Sequence, residues 1–116
     1  MIEEKRHGHV VVISLKGNLL GEPQTSKLRE KVYTLLEENR KHIIIDLGKV
    51  KIVNSMGLGA LVASVVSVRK KGGDVCLAGL SDKVEAVIAI THLVKVFRIY
   101  ETVERAVKSF DVFFQK

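Results

Sequence analysis

The sequence predicts a single α/β domain, and three observations lead there. Short β-branched runs alternate with segments of helical period along the chain, the pattern of strand–helix–strand units. The run His42-Ile43-Ile44-Ile45-Asp46-Leu47 is apolar without alternation, as in a central strand covered on both faces. Length is the third: 116 residues, 47% apolar and 28% charged, suffice for one core, so residues 1–116 are read as one domain.

Taken in order, Ile2 to Arg6 is an antiparallel partner that turns at His7-Gly8-His9 into the strand Val10 to Leu15, which ends at Gly17. Gly17 to Pro23 is a loop by its glycines and proline, with Pro23 suited to the first turn of a helix. That helix sets Leu28, Val32, Leu35 and Leu36 on one face and ends near Asn39. After the central strand, Gly48 to Ser55 leads to a helix striped by Leu58, Leu61, Val62, Val65 and Val68. Several of these are β-branched, so packing rather than propensity must hold the helix. Gly72-Gly73 stops it, and Asp74 to Gly79 is a third core strand. Ser81 or Asp82 caps a helix carrying Val84, Val87, Ile88 and Ile90. A short last strand falls within Val94 to Tyr100. Thr102 caps a final helix with Val103, Ala106, Val107 and Phe110. Phe110 reads as core; Phe113 and Phe114 leave a core seal and a homodimer contact both open. Crossovers between parallel strands are expected to be right-handed.

The net charge is +6, but the positive residues are scattered. The densest run, Arg69-Lys70-Lys71, ends a helix, where it opposes the negative end of the dipole. With few aromatics for base stacking, direct nucleic-acid binding is not expected. Cys76 is the single cysteine and lies in an apolar run, as a small core residue does. One cysteine, no leader-like segment and no apolar stretch long enough to span a bilayer predict a cytoplasmic protein without membrane insertion.

Few residues carry recognisable chemistry. Of the four histidines only His7 and His9 are close in sequence, and no metal-ligand spacing exists, so neither a metal nor a cofactor is expected. Gly57-Leu58-Gly59-Ala60-Leu61-Val62 has the first two glycines of a dinucleotide fingerprint and Val62 in place of the third. Ser55, in Val53-Asn54-Ser55-Met56-Gly57, partly matches a nucleophile elbow, but Val53 replaces the leading glycine and His92 is the only later histidine. A serine hydrolase using Ser55 and His92 is therefore the remote alternative. The plain role of Asn54 and Ser55 is helix capping. Capping has a consequence: a phosphate on Ser55 would sit where the first backbone N–H groups and the dipole favour negative charge. Met56, Gly57, Leu58 and Gly59 beside it would form a flat apolar patch of low bulk, able to dock a protein and spoiled by an added charge.

From Asp46 to Leu61 these residues resemble the central signature of STAS domains of the anti-sigma factor antagonist type: Asp-Leu, a spacer, then a serine-led Ser-x-Gly-Leu-Gly at a helix start. The Gly72-Gly73 stop, the strand Val75 to Leu77 and a Ser81-led helix extend the likeness to about residues 8–110. The resemblance implies a mixed sheet of four to five strands with about four helices mainly on one face, and no catalysis. It implies partners too: an anti-sigma factor with serine kinase activity, and a serine/threonine phosphatase that resets the domain. The phosphoacceptor maps onto Ser55. The partner surface maps onto Asn54, Met56, Gly57, Leu58 and Gly59, with Asn18, Leu19, Leu20, Gly21, Glu22, Lys49 and Lys51 at its margin. Two positions depart from the family pattern: Asn54 replaces the usual acid, and the loop from Gly17 to Glu22 lacks an aspartate. A non-switching STAS subunit of a transporter or stress-signalling complex is the alternative within the family.

Overall fold

The computed structural model describes residues 2–113. Its elements are β1 (Ile2–His7), β2 (Val10–Lys16), α1 (Gln24–Glu37), β3 (His42–Lys49), α2 (Ser55–Lys70), β4 (Asp74–Ala78), α3 (Asp82–Ile90), β5 (Arg98–Tyr100) and α4 (Val103–Phe113). The sheet runs β1-β2-β3-β4-β5, with β1 antiparallel to β2 and the other neighbours parallel. Strands are thus added in one direction, and right-handed crossovers then put all three connecting helices on the same face. The helix α4 follows the last strand, is no crossover, and folds onto the opposite face.

The period of two in each strand divides the core accordingly. Val11, Ile13, Ile43, Ile45, Val75 and Leu77 face α1, α2 and α3. Val10, Val12, Ile44, Cys76 and Ala78 face Ala106 and Phe110 of α4. Ile43, Ile44 and Ile45 are all fully buried, as their unbroken apolar run predicts. Gly73 shows why the α2–β4 stop is glycine: a Cβ there would lie 2.0 Å from the Lys41 carbonyl oxygen, the atom that accepts from Asp74 N–H.

A polar clasp joins both layers. The Asp74 carboxylate accepts from Arg69 Nε at 2.8 Å and Arg98 Nη1 at 3.0 Å. Arg98 also donates to Ser109 Oγ at 2.6 Å and lies 5.1 Å from the Phe110 ring centroid. Arg69 thus meets a specific carboxylate besides the helix dipole. Beside the clasp, Cys76 is fully buried, and burial pushes its thiol up to about 11. Cys76 is expected to react with a thiol reagent at pH 8 only as fast as the chain unfolds. Timed labelling with and without denaturant checks this; fast labelling of the folded chain would contradict it.

The last strand is shorter than the segment assigned to it. Residues 91–97 form turns that bury Phe97 and leave Val94 52% exposed. Ile90 is 76% exposed rather than part of the α3 stripe, because two residues past Ile88 is the wrong angle for that face. Pro23 sits at the N-cap of α1 rather than in its first turn. Phe114 and the side chain of Phe113 lie outside the described residues.

Candidate functional site

The loops leaving β2 and β3 meet at the carboxyl ends of the parallel strands, where open α/β sheets place their binding sites. They run side by side as a short ribbon. Leu19 and Val53 form a parallel bridge. Leu19 N–H donates to Ile52 O at 3.0 Å, and Asn54 N–H donates to Leu19 O at 3.3 Å. Asn18 Oδ1 accepts from Ile52 N–H at 3.1 Å.

Asn54 closes the ribbon onto α2. Its backbone is extended, and its Oδ1 accepts from Gly57 N–H at 3.0 Å, an N-cap. Its Nδ2 donates to Leu20 O at 2.8 Å. One amide thus serves both as acceptor for the helix and as donor to the neighbouring loop, a pairing no carboxylate can make when ionised. Asn54 therefore ties the loop that leaves β2 to the start of α2. Asn54→Asp is expected to keep the cap but lose the tether, increasing amide exchange around Leu20 and Gly21. Hydrogen-exchange mass spectrometry checks this, and unchanged exchange in that loop would contradict it.

Ser55 is the first residue of α2 and is exposed; Asn54, not Ser55, is the cap. Helix geometry leaves the N–H groups of Ser55 and Met56 without intrahelical acceptors, so this end favours an anion. Three large apolar side chains on these loops and the first turn are exposed: Leu20 at 44%, Ile52 at 48% and Met56 at 55%. The Met56 thioether covers Gly21, with Sδ 3.5 Å from the point a Cβ would occupy.

Several residues assigned to the docking surface from sequence play another part. Leu19 and Leu58 are 2% and 5% exposed, and Gly57 is buried too. They anchor the loops from beneath, because both leucines point into the core under α2. Gly21 is likewise buried under Met56. Asn18, Leu20, Met56, Gly59, Lys49 and Lys51 are exposed around Ser55 or at its margin. Glu22 is exposed, but hydrogen bonds led by Ser26 hold its carboxyl below the ordinary value; the carboxylate accepts from Ser26 N–H in the first turn of α1. Ile52 is the residue that sequence reading missed. Its neighbours gave no alternating signal, since Lys51 and Ile52 are both exposed and only Val53 turns in.

His92 follows the C-terminus of α3, which runs back from the carboxyl edge of the sheet for nine residues, about 13 Å. It stands at the opposite edge from Ser55, so the hydrolase pair is not assembled. His9 and His42 meet edge to face at 4.9 Å and His42 stacks on Phe110. Among the described residues no group of three ligands forms a metal site, and no helix is long and apolar enough to cross a membrane.

Sheet, crossover helices and a cross-tied serine-led helix define a small α/β domain with apolar side chains exposed at the edge that holds Ser55. A family model for the STAS domain matches residues 1–106, and the chain belongs to that family; its members of the antagonist type are regulatory binding proteins, not enzymes. The chain is 32% identical over 73 residues to a Thermotoga neapolitana protein assigned as an anti-sigma factor antagonist, a stretch covering 63% of this chain and 65% of that protein. The match thus spans just under two-thirds of the relative's length. The anti-sigma F factor antagonist of Paenibacillus polymyxa is 22% identical over 111 residues, 96% of this chain and 95% of its own. Among solved structures, an assigned antagonist from Thermotoga maritima superposes with a TM-score of 0.86 at 25% identity, covering 93% of this chain and 92% of that one. Two others share the fold at lower identity. The Bacillus cell fate determinant SpoIIAA in its phosphorylated form has a TM-score of 0.73 at 20% identity, covering 94% and 98%. A sulfate transporter family protein from Wolinella succinogenes has a TM-score of 0.81 at 18% identity, covering 93% and 89%.

Proposed function

We propose that this STAS domain is an anti-sigma factor antagonist switched by phosphorylation of Ser55. In the unphosphorylated state it binds an anti-sigma factor that is also a serine kinase, and the sigma factor goes free. The kinase then transfers the γ-phosphoryl group of ATP to Ser55 Oγ; ADP leaves and the hydroxyl proton passes to a base on the kinase. The phosphodomain dissociates until a serine/threonine phosphatase removes the group. The cycle runs in the cytoplasm without direct contact to nucleic acid.

The observation that carries this reading is the position of Ser55. Its hydroxyl is exposed at the first position of α2, on a loop edge that also exposes Leu20, Ile52 and Met56. The helix end stabilises a phosphate, whereas a partner seated on the apolar side chains would have to desolvate it. The names of the Thermotoga and Paenibacillus relatives and the phosphorylated SpoIIAA fold support the same reading. A second reading, a constitutive STAS subunit of a transporter or signalling complex, is favoured by Asn54 in place of the family acid and by the fold shared with the Wolinella protein.

Mass spectrometry of the Ser55 peptide, after incubation of the protein with ATP in extract of its own host, separates the two. One added phosphate that is absent in Ser55→Ala is the expected result. No phosphate, in an extract that phosphorylates a control substrate, would transfer the case to the constitutive subunit.

A further inference from the structure

The face of the sheet that carries α4 is only partly covered. The helix α4 packs over Val10 and Val12 of β2, Ile44 of β3 and Cys76 and Ala78 of β4, and among the described residues β1 and the Ser14 end of β2 have no helix over them on that face. The register shows what lines this opening. Val12 pairs with Lys5, Val10 with His7 and Ser14 with Glu3, while Ser14 pairs with Asp46 across β3. Paired residues share a face, so Lys5, His7, Val12, Ser14 and Asp46 point to the α4 side. Together with the near flank of α4 they line a cavity of about 470 Å³, within the size range of small-molecule sites.

Its acids and its cations lie on different sides. At the carboxyl end of the strands stand Asp46, Ser14 and, from the first turn of α4, Glu104. Asp46 is half-buried. Its carboxylate accepts from Ser14 Oγ at 3.3 Å and Gly48 N–H at 2.9 Å, and it forms no ion pair among the described residues. Glu104 offsets the positive end of the α4 dipole. The middle is apolar, with Val12 as floor and Val103 and Val107 as wall. Lys5 stands beside Val12 and Lys108 one turn after Glu104, so the cations line the side formed by β1 and α4, with His7 at the far end. Asp46 and Lys5 are two residues apart along the strands and two strands apart across the sheet, a diagonal of about 12 Å between backbones.

We propose that this cavity binds a small zwitterion with a cationic donor at one end, an apolar body, and a carboxylate at the other, as in an ω-amino carboxylate or an apolar dipeptide. The ammonium group supplies the counter-ion that half-buried Asp46 lacks, the body covers Val103 and Val107, and the carboxylate meets Lys5 and Lys108. The cavity lies across the sheet from α1, α2 and α3, and the proposal is independent of the role of Ser55. Asp46 bonds the amide of Gly48, so occupancy also bears on the start of the β3–α2 loop.

The test is an amide-resolved NMR titration of the whole chain with 6-aminohexanoate and with leucyl-leucine, and with hexanoate and hexylamine as single-charge controls. Saturable shifts at Lys5, Val12, Ser14, Asp46 and Val107 are expected with the zwitterions, at about millimolar Kd. Binding of the controls is expected to be about tenfold weaker or less, since each loses one charged contact. Asp46→Asn, which keeps an acceptor for Gly48 N–H, and the exposed pair Lys5→Ala/Lys108→Ala should each weaken the zwitterions with an unchanged melting midpoint. Lack of saturation with either zwitterion would overturn the proposal. So would controls that bind equally well, which would mean apolar contact alone, or wild-type affinity in a folded Asp46→Asn.

Discussion

Ser55→Asp is expected to leave the unfolding midpoint close to that of the parent chain and to weaken capture of the anti-sigma partner by more than about tenfold. The two halves of the prediction have separate causes. Within the domain the new carboxylate sits at the first position of α2, where the helix dipole favours it, and its side chain is exposed. Across the interface the same charge lies among Leu20, Ile52 and Met56, which a partner can use only by removing water from them and from any charge between them. Ser55→Ala is the matched control: it removes the phosphoacceptor and adds no charge, so it should bind at least as well as the parent. Biolayer interferometry against the partner recovered by pull-down, with a thermal melt of each variant, reads both halves. An Asp variant that binds like the parent would remove electrostatic switching from the account.

Gly57→Ala is expected to cost about 3 kcal/mol, a severe case of overpacking, and to lower the melting midpoint by about 12 °C for a chain of this length. A Cβ at this position would lie 2.2 Å from the Leu19 carbonyl oxygen and 3.0 Å from both Leu19 Cγ and Val53 Cγ1. The carbonyl cannot yield cheaply, because it accepts the Asn54 N–H that ties the two loops. Relief requires the loop leaving β2 to lift from α2, which exposes Leu19 and carries Leu20 out of place. Binding should therefore fall together with stability. Gly59→Ala, two residues on, is the contrast, since nothing lies within 4 Å of its Cβ. Thermal melts of the pair check the prediction, and equal midpoints would show that the ribbon is looser than its hydrogen bonds imply.

The contrast between these two glycines marks where sequence reading stopped. Both belong to the same short motif, and nothing in their neighbours tells which one lies under the adjacent loop. The elements themselves were legible, because β-branched runs and helical stripes are local and periodic: β3 declared its burial by Ile43, Ile44 and Ile45, and Asn54 declared a helix start. The side-by-side course of residues 18–20 and 52–54 was not legible, since it depends on pairings across more than 30 positions. Consequently Leu19 looks, in sequence, like a member of an exposed patch, whereas the ribbon turns it under and brings Ile52 out, and the burial of Leu58 follows the helical stripe rather than the patch. The assignment of Ser55 needed only its place at a helix start and the family likeness. The opening beside α4 needed the register of three strands.

The strand β1 lies at the sheet margin with its outer backbone groups unpaired, the arrangement by which proteins zip together into aggregates. Four successive charged residues, Glu3 to Arg6, occupy it. Glu4 bridges Lys31 and Arg6, Arg6 reaches Glu38, and Lys16 holds Glu3. Hydrogen bonds from Lys16 keep the Glu3 carboxyl below its ordinary value, and those from Lys31 and Arg6 do the same for Glu4. Both acids therefore lose their charge at a lower pH than a free glutamate does. A second molecule adding a strand there would have to strip water from charges of both signs. The fold thus carries its own colloidal protection along its most vulnerable line, and dense solutions of it should stay clear where a bare margin would cloud.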